Sequence, residues 1–372
     1  MVWRKNSIVS NKYRPRQFLY MNKTSELFGS SGVDCVLLKT SESVVDENFY
    51  YFTRVDRCKS QNGVAILRKN KRPIILANIL EYKNFAGSKG FSVIKISKKS
   101  DLSAVIKKLP KRIGVNYSAL TLNSIKNLRS ISKNKKFVDV SKSLEKIREV
   151  KTRDEQKKIK SACRISEEII CDVLGKAVLG KKEISIKNDI DQAMNKAGLQ
   201  PAFPSIVASG KNSSVPHHVS GAKKVGNGVL LIDMGVVFHN YCSDITRTFF
   251  VGRASENVRN VYTIVKKAQS KGLSMIKDGA RAADVFNSAN DILKKELNQS
   301  LVHSLGHGIG INVHDFPGGF SEKSKTTLKK DMVFTVEPGY YKRFGVRIED
   351  DIVVTKTGCR QLTKSPKEII EL

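Results

Sequence analysis

Along the first third of the chain, short apolar runs follow one another at close intervals. They are Val33–Leu38, Phe49–Phe52, Val64–Leu67, Ile74–Ile79, Phe91–Ile96 and Ile113–Val115. Gly, Asn, Lys and Ser separate them, and helix-like stretches lie between, such as Asp101–Leu109 and Ala119–Ile131. This alternation reads as an α/β domain. Residues 1–20 ahead of it read as a loosely ordered basic arm.

The pattern changes near residues 140–155. Thr152-Arg153-Asp154-Glu155 is a capping-box sequence, in which the Thr hydroxyl and the Glu carboxylate satisfy the free N–H groups that open a helix. Beyond it Ile159, Ala162, Cys163, Ser166, Ile169, Ile170 and Val173 recur at spacings of 3, 4 and 7, one face of a helix. A second helix carries Ile186, Ile190, Ala193, Met194 and Ala197 and stops at Gly198. The boundary therefore falls near residue 145, inside the connection Ser141–Val150. It gives an N-terminal domain over 1–145 and a second domain over 146–372. A chain of 372 residues is long enough for two domains at roughly 100–200 residues each.

Charge and composition narrow the classes further. Lys and Arg number 66 against 35 Asp and Glu, a formal net charge of +31. Residues 1–150 carry 31 basic and 11 acidic residues. Such a surface attracts polyanions. Lys outnumbers Arg 47 to 19, however, and Arg is the residue suited to bidentate phosphate and base-edge contacts. The charge reads first as a general compositional bias, with a nucleic acid a secondary reading and not the main role. Hydrophobic residues at 40% and charged residues at 27% argue against global disorder. No apolar run reaches the ~18 residues of a membrane span, so no membrane partner is expected. The N-terminus lacks the apolar core of a secretory signal. Six scattered cysteines without a C-x-x-C pair fit reduced thiols in the cytoplasm.

The chemistry gathers in the second domain. All six histidines lie between positions 217 and 314: His217, His218, His239, His303, His307 and His314. Val229–Val237 and Tyr241–Val251 read as a β-hairpin about a turn near Phe238–His239. In that register Asp233 and Asp244 face each other directly, with Cβ atoms ~5 Å apart. Two facing carboxylates repel unless a cation lies between them. His307 stands among glycines that permit close backbone approach. Glu337 ends one apolar strand and Glu349 sits within another, where an unpaired acid is costly. Two Asp, two Glu and one His balance two divalent ions. Oxygen-rich ligation with one nitrogen suits Mn²⁺, Co²⁺, Zn²⁺ or Fe²⁺ better than a thiolate zinc site. Two such ions about 3.5–4 Å apart can share a hydroxide nucleophile and polarise a carbonyl.

Six motifs in order carry a family resemblance. They are Pro204–Gly210, Pro216-His217, Asp233 with Ser243–Thr248, Gly306–Gly310, Val336–Gly339 and Val346–Asp350. Together they resemble the proline-specific pita-bread metallopeptidases, that is, the Xaa-Pro aminopeptidases and Xaa-Pro dipeptidases (prolidases) of peptidase family M24. The segment Ile147–Lys151 and the helix after it resemble the family's entry into its catalytic domain. Asn48–Thr53 is the best local match to a creatinase-type N-terminal domain.

The resemblance implies an α/β (α+β) fold with a creatinase-type domain before a pita-bread catalytic domain. It implies two divalent ions, Mn²⁺ foremost, with Co²⁺, Zn²⁺ or Fe²⁺ as alternatives. Asp233 would chelate one ion, His307 and Glu337 the other, and Asp244 and Glu349 would bridge. Glu337 would also shuttle a proton. His217 would contact the substrate and stabilise the tetrahedral intermediate. His314 would hydrogen-bond near the scissile bond, His303 would line the proline pocket, and Arg347 would orient an Asp ligand. The substrate would be a peptide with proline second, the assembly a homodimer and the location cytoplasmic. The segment Tyr340–Phe344 is shorter than the turn of some prolidases. Two rival readings are a pita-bread binding protein for nucleic acid or ribosomes and a creatinase-like amidinohydrolase. The complete ligand set weighs against both.

Overall fold

Most of the apolar runs of the first 140 residues assemble into one mixed sheet. The structure, a computed structural model, describes residues 18–58, 60, 62–86 and 90–372. The expected basic arm lies outside the described residues up to position 17. The chain divides into two units between Arg148 and Glu149.

The first unit runs α1 (Phe18–Ser31), β1 (Cys35–Thr40), α2 (Glu47–Thr53), β2 (Gly63–Arg68), β3 (Lys71–Ala77), α3 (Tyr82–Phe85), β4 (Ser92–Lys95), α4 (Lys99–Lys107), β5 (Arg112–Val115), α5 (Leu122–Ile131), β6 (Lys136–Asp139) and α6 (Ser141–Glu149). The strand order is β4-β3-β2-β1-β5-β6. Cys35, Val36, Leu37 and Leu38 of β1 are all buried, as an unbroken apolar run at a sheet centre requires. Phe49–Phe52 is not a strand but the body of α2. Asp46 caps it by accepting from the Asn48 amide at 3.0 Å, and the chain leaves through Arg54 at φ 58°. A local cap has overridden aromatic strand propensity. The connection Ser141–Val150 is likewise largely helical, as α6.

The second unit opens with the 22-residue α7 (Arg153–Leu174). The Thr152 amide donates to Glu155 Oε2 at 2.7 Å and the Glu155 amide to Thr152 Oγ1 at 3.3 Å. The face carrying Ile159, Ala162, Cys163, Ile169, Ile170 and Val173 is buried. α8 (Glu183–Lys196) follows. Then come β7 (Gln200–Pro201), β8 (Ile206–Ser209), β9 (Gly228–Met234), β10 (Val236–Phe238), β11 (Tyr241–Cys242) and β12 (Ile245–Val251). The helices α9 (Glu256–Met275) and α10 (Ala282–Leu297) separate these from β13 (Gly306–Gly308), β14 (Asp315–Phe320), β15 (Val333–Val336), β16 (Gly339–Tyr341), β17 (Gly345–Arg347), β18 (Asp350–Val354) and β19 (Cys359–Gln361). Two sheets matter most for the chemistry, β12-β9-β8 and β14-β13-β15-β18-β19.

The hairpin forms, but one residue later than its sequence centre. His239 and Asn240 occupy the turn with φ of 48° and 69°. A two-residue turn with φ positive at both positions matches strand twist, and Asn tolerates that conformation better than Phe. Phe238 then pairs with Tyr241, and Asp233 with Thr246. Asp233 and Asp244 are therefore not direct partners; the register is displaced by two residues. At Gly235 the strand breaks between β9 and β10, where a Cβ would lie 1.9 Å from the Ser243 carbonyl oxygen.

Replacing the cap residue, Thr152→Ala, is expected to lower stability by about 1 kcal/mol. Urea unfolding should show a lower midpoint at unchanged slope. An unchanged midpoint would mean the capping box contributes nothing to α7.

Candidate metal centre

Strand ends gather the acidic residues. Asp233 lies near the end of β9, Asp244 just before β12, and His307 within β13. Glu337 follows β15 and Glu349 precedes β18, next to the paired residues Val336 and Asp350. Ligand atoms of Asp244, His307 and Glu349 all lie within 4.8 Å of one another. His307 Nε2 is 3.5 Å from Asp244 Oδ2 and 3.5 Å from Glu337 Oε1. A Cβ on Gly306 would meet the Thr335 carbonyl oxygen at 2.0 Å. Only glycine lets β13 pass this close to its neighbour.

The donor set suits a cation and little else. His307 Nδ1 lies 3.2 Å from the Gly308 carbonyl oxygen. A carbonyl only accepts, so the ring proton sits on Nδ1 and the Nε2 lone pair faces two carboxylates. Nε2 is thus left to face the two carboxylates, the nitrogen a metal would take. Asp233 Oδ1 and Asp244 Oδ1 are buried without a hydrogen-bond partner among the described residues. Burial pushes Asp244 well above the usual carboxylate range, and Glu349 and Asp233 push it further. Burial likewise raises Glu349 well above that range, with Glu337 and Asp233 adding to it. Asp233 is raised by burial, although Arg347 opposes the shift. A divalent ion among these groups supplies the missing positive charge.

A layer of hydrogen bonds fixes the acids. Arg347, the residue expected to orient an Asp ligand, reaches Asp233 Oδ2 at 2.5 Å, Thr246 Oγ1 at 2.9 Å and the Tyr341 hydroxyl at 2.9 Å. Thr246 Oγ1 donates to Glu349 Oε2 at 2.6 Å. The buried Arg247 reaches Asp350 Oδ1 at 2.7 Å and the Thr246 and Glu349 carbonyl oxygens at 3.0 and 2.5 Å. Lys367 pairs with the other Asp350 oxygen at 2.5 Å. Asp351 Oδ2 accepts from the Asp244 amide at 3.0 Å and the Cys163 thiol at 3.1 Å. Burial lifts the Asp351 carboxyl to about 8. Thr246, Arg247, Tyr341, Asp350 and Asp351 were not singled out from the sequence. The available signal was an Arg and a Thr inside β12, every residue of which is buried.

The histidines divide. His303 Nδ1 donates to the Ser304 carbonyl oxygen at 2.7 Å, which leaves Nε2 to accept from the Tyr341 hydroxyl at 3.0 Å. Burial holds His303 below the usual histidine range. His314 stands edge-on to His307 with ring centroids 4.2 Å apart, and burial, followed by the neighbouring His307 ring, lowers it too. His217 is exposed, and the Pro216 carbonyl before it accepts from Arg347 at 3.3 Å. His218 points instead to Glu183, at 2.9 Å. His239 is an exposed turn residue.

Comparison with known proteins places this geometry in context. A model of Metallopeptidase family M24 matches residues 157–356, and one of the Creatinase/Prolidase N-terminal domain matches residues 21–150. The chain is 31% identical over 328 residues to an Xaa-Pro dipeptidase of Pyrococcus furiosus, covering 87% of this chain and 92% of that one. Among solved structures, an X-Pro aminopeptidase of Thermotoga maritima superposes with a TM-score of 0.86 at 29% identity, covering 93% of this chain and 99% of that one. A prolidase of Pyrococcus horikoshii gives 0.84 at 31% identity, covering 95% and 100%.

Two outcomes test the supporting layer. Asp350→Asn strips Arg247 and Lys367 of a buried counter-charge and should cost about 3–5 kcal/mol, read by urea unfolding. Arg347→Lys replaces a fork by a point charge and should weaken Mn²⁺ binding roughly 10–100-fold in calorimetric titration. Wild-type affinity in that variant would show that Asp233 needs no orienting partner.

Proposed function

The chain belongs to metallopeptidase family M24, and on that premise we propose an exopeptidase that uses two divalent ions to cleave between an N-terminal residue and a following proline. Catalysis is assigned to the part of the chain after residue 145. The observation that carries the reading is the crowding of three carboxylates, Asp244, Glu337 and Glu349, around His307, with Asp233 acting electrostatically on the same group. The likeness to an Xaa-Pro dipeptidase and an X-Pro aminopeptidase supports the proline preference. A proline-containing bond lacks an N–H and has a fixed φ, so a pocket shaped to that ring supplies selectivity. Mn²⁺ is the foremost metal in this reading. A cytoplasmic homodimer goes with it, and among the described residues no helix is long and apolar enough to cross a membrane.

In this reading Asp233, Asp244, His307, Glu337 and Glu349 hold the ions. When bound, the ions supply Lewis acidity, polarising the peptide carbonyl and making water nucleophilic at neutral pH. Glu337 is the least enclosed of the four carboxylates, its side chain 14% exposed. It takes a proton from the attacking water on a carboxylate oxygen and returns it to the leaving proline nitrogen. His217 donates a hydrogen bond to the oxygen that gains charge in the tetrahedral intermediate. His314 hydrogen-bonds the substrate near the scissile bond. His303, locked by Ser304 and Tyr341, forms a rigid wall for the proline ring. Arg347 keeps Asp233 in its ligating rotamer.

The test is hydrolysis of Ala-Pro, Ala-Pro-Gly and Ala-Ala by protein loaded with Mn²⁺. Turnover is expected for the two proline peptides and not for Ala-Ala. No turnover of either would remove the substrate assignment. Asp244→Asn and Glu349→Gln should each abolish activity and weaken Mn²⁺ binding; near wild-type turnover in either contradicts the two-ion arrangement. His217→Ala should lower kcat by about a hundredfold or more while metal content stays intact.

A further inference from the structure

Glu183 opens α8, has no exposed surface and plays no part in the scheme above. Its carboxylate nevertheless collects hydrogen bonds from the end of β8 and from three residues of the loop after it. Oε1 accepts from the Ser209 amide at 2.7 Å, the Ser209 hydroxyl at 2.9 Å and the Asn212 side-chain amide at 3.0 Å. Oε2 accepts from the same Asn212 side-chain amide at 3.1 Å, from His218 Nε2 at 2.9 Å and from the Gly221 backbone amide at 3.4 Å. Burial alone would raise this carboxyl, but the bonds from His218, Ser209 and Asn212 hold it below the usual range.

The loop ends in a tight turn. The His218 amide donates to the Val215 carbonyl oxygen at 3.1 Å, so Val215-Pro216-His217-His218 closes as a four-residue turn with proline at its second position, where a fixed φ suits it. His217 is the third residue and projects as the tip. Each residue beside it is tied down. Pro216 is held through its carbonyl by Arg347, which also holds Asp233, and His218 is held through its ring by Glu183. The exposed tip has little packing of its own, so its position rests on these two ties. A displacement of ~1 Å at a reacting group is enough to cost about a hundredfold in rate.

We propose that Glu183 is a positioning residue for His217, acting through the ring of His218 on the turn that carries it. The inference rests on the catalytic role proposed for His217.

His218→Ala cuts the tie at the turn and leaves the Glu183 bonds to Ser209 and Asn212 in place. It should lower kcat for Ala-Pro about 10–100-fold with Mn²⁺ content and KM little changed. His218→Gln keeps an N–H donor and should restore much of the rate. The double variant His217→Ala/His218→Ala should be no slower than His217→Ala alone, because one function is lost in both. Glu183→Gln should act in the same direction. A wild-type kcat in His218→Ala, or additive losses in the double variant, overturns the proposal. Hydrogen exchange over residues 211–221 provides a readout independent of turnover. Protection should fall in His218→Ala, and unchanged protection also overturns the proposal. Absence of Ala-Pro turnover by the wild type would instead contradict the substrate assignment, and the exchange result would still decide whether the clamp exists.

Discussion

Four carboxylates and the lone pair of His307 Nε2 are crowded between buried strands, and the second unit is organised around that repulsion. Taking one ion out of water costs several kcal/mol even after relaxation. Here the acids come without counter-ions in their midst, and two of their oxygens have no hydrogen bond among the described residues. Neutralising them with protons would remove the repulsion but leave a cluster of no chemical use. The proposed pair of divalent cations would remove it and create a Lewis-acid centre at the same spot.

The protein's own cations stand behind the acids, not among them. Arg347 and Arg247 both converge on Thr246, one through its hydroxyl and the other through its carbonyl. Thr246 in turn holds Glu349. The two guanidinium groups also find carboxylates, Arg347 at Asp233 and Arg247 at Asp350. The hydrogen-bonding capacity that would otherwise collapse onto the ligands is used up one layer out, and the ligand rotamers are fixed by it. The net charge of +31 therefore says little about the centre, where the local balance is negative.

Much of this was legible in residue pattern. The α/β class, the creatinase-type unit before a pita-bread metallopeptidase unit, the capping box at Thr152 and the candidate set of four acids and one imidazole all carry strong local signals. The hairpin register was not legible, because sequence does not state which two residues take positive φ. Asn240 could adopt it and Phe238 was needed in the strand. Phe49–Phe52 has strand composition but obeys the cap at Asp46. The supporting layer escaped for another reason. Arg247, Thr246 and Glu183 find their partners far away in sequence, and only the fold brings Arg247 to Asp350 or Glu183 to His218. A charged residue inside a fully buried and otherwise uncharged strand was the one available clue, and it names no partner.

The claim that the acids exist to hold metal is tested most directly by titrating metal-free protein with Mn²⁺ while following both bound metal and Ala-Pro hydrolysis. The account predicts two equivalents bound per chain, activity that rises with occupancy, and none in the metal-free protein. Full activity without metal, or saturation of the metal-free protein with no specific binding, would contradict it.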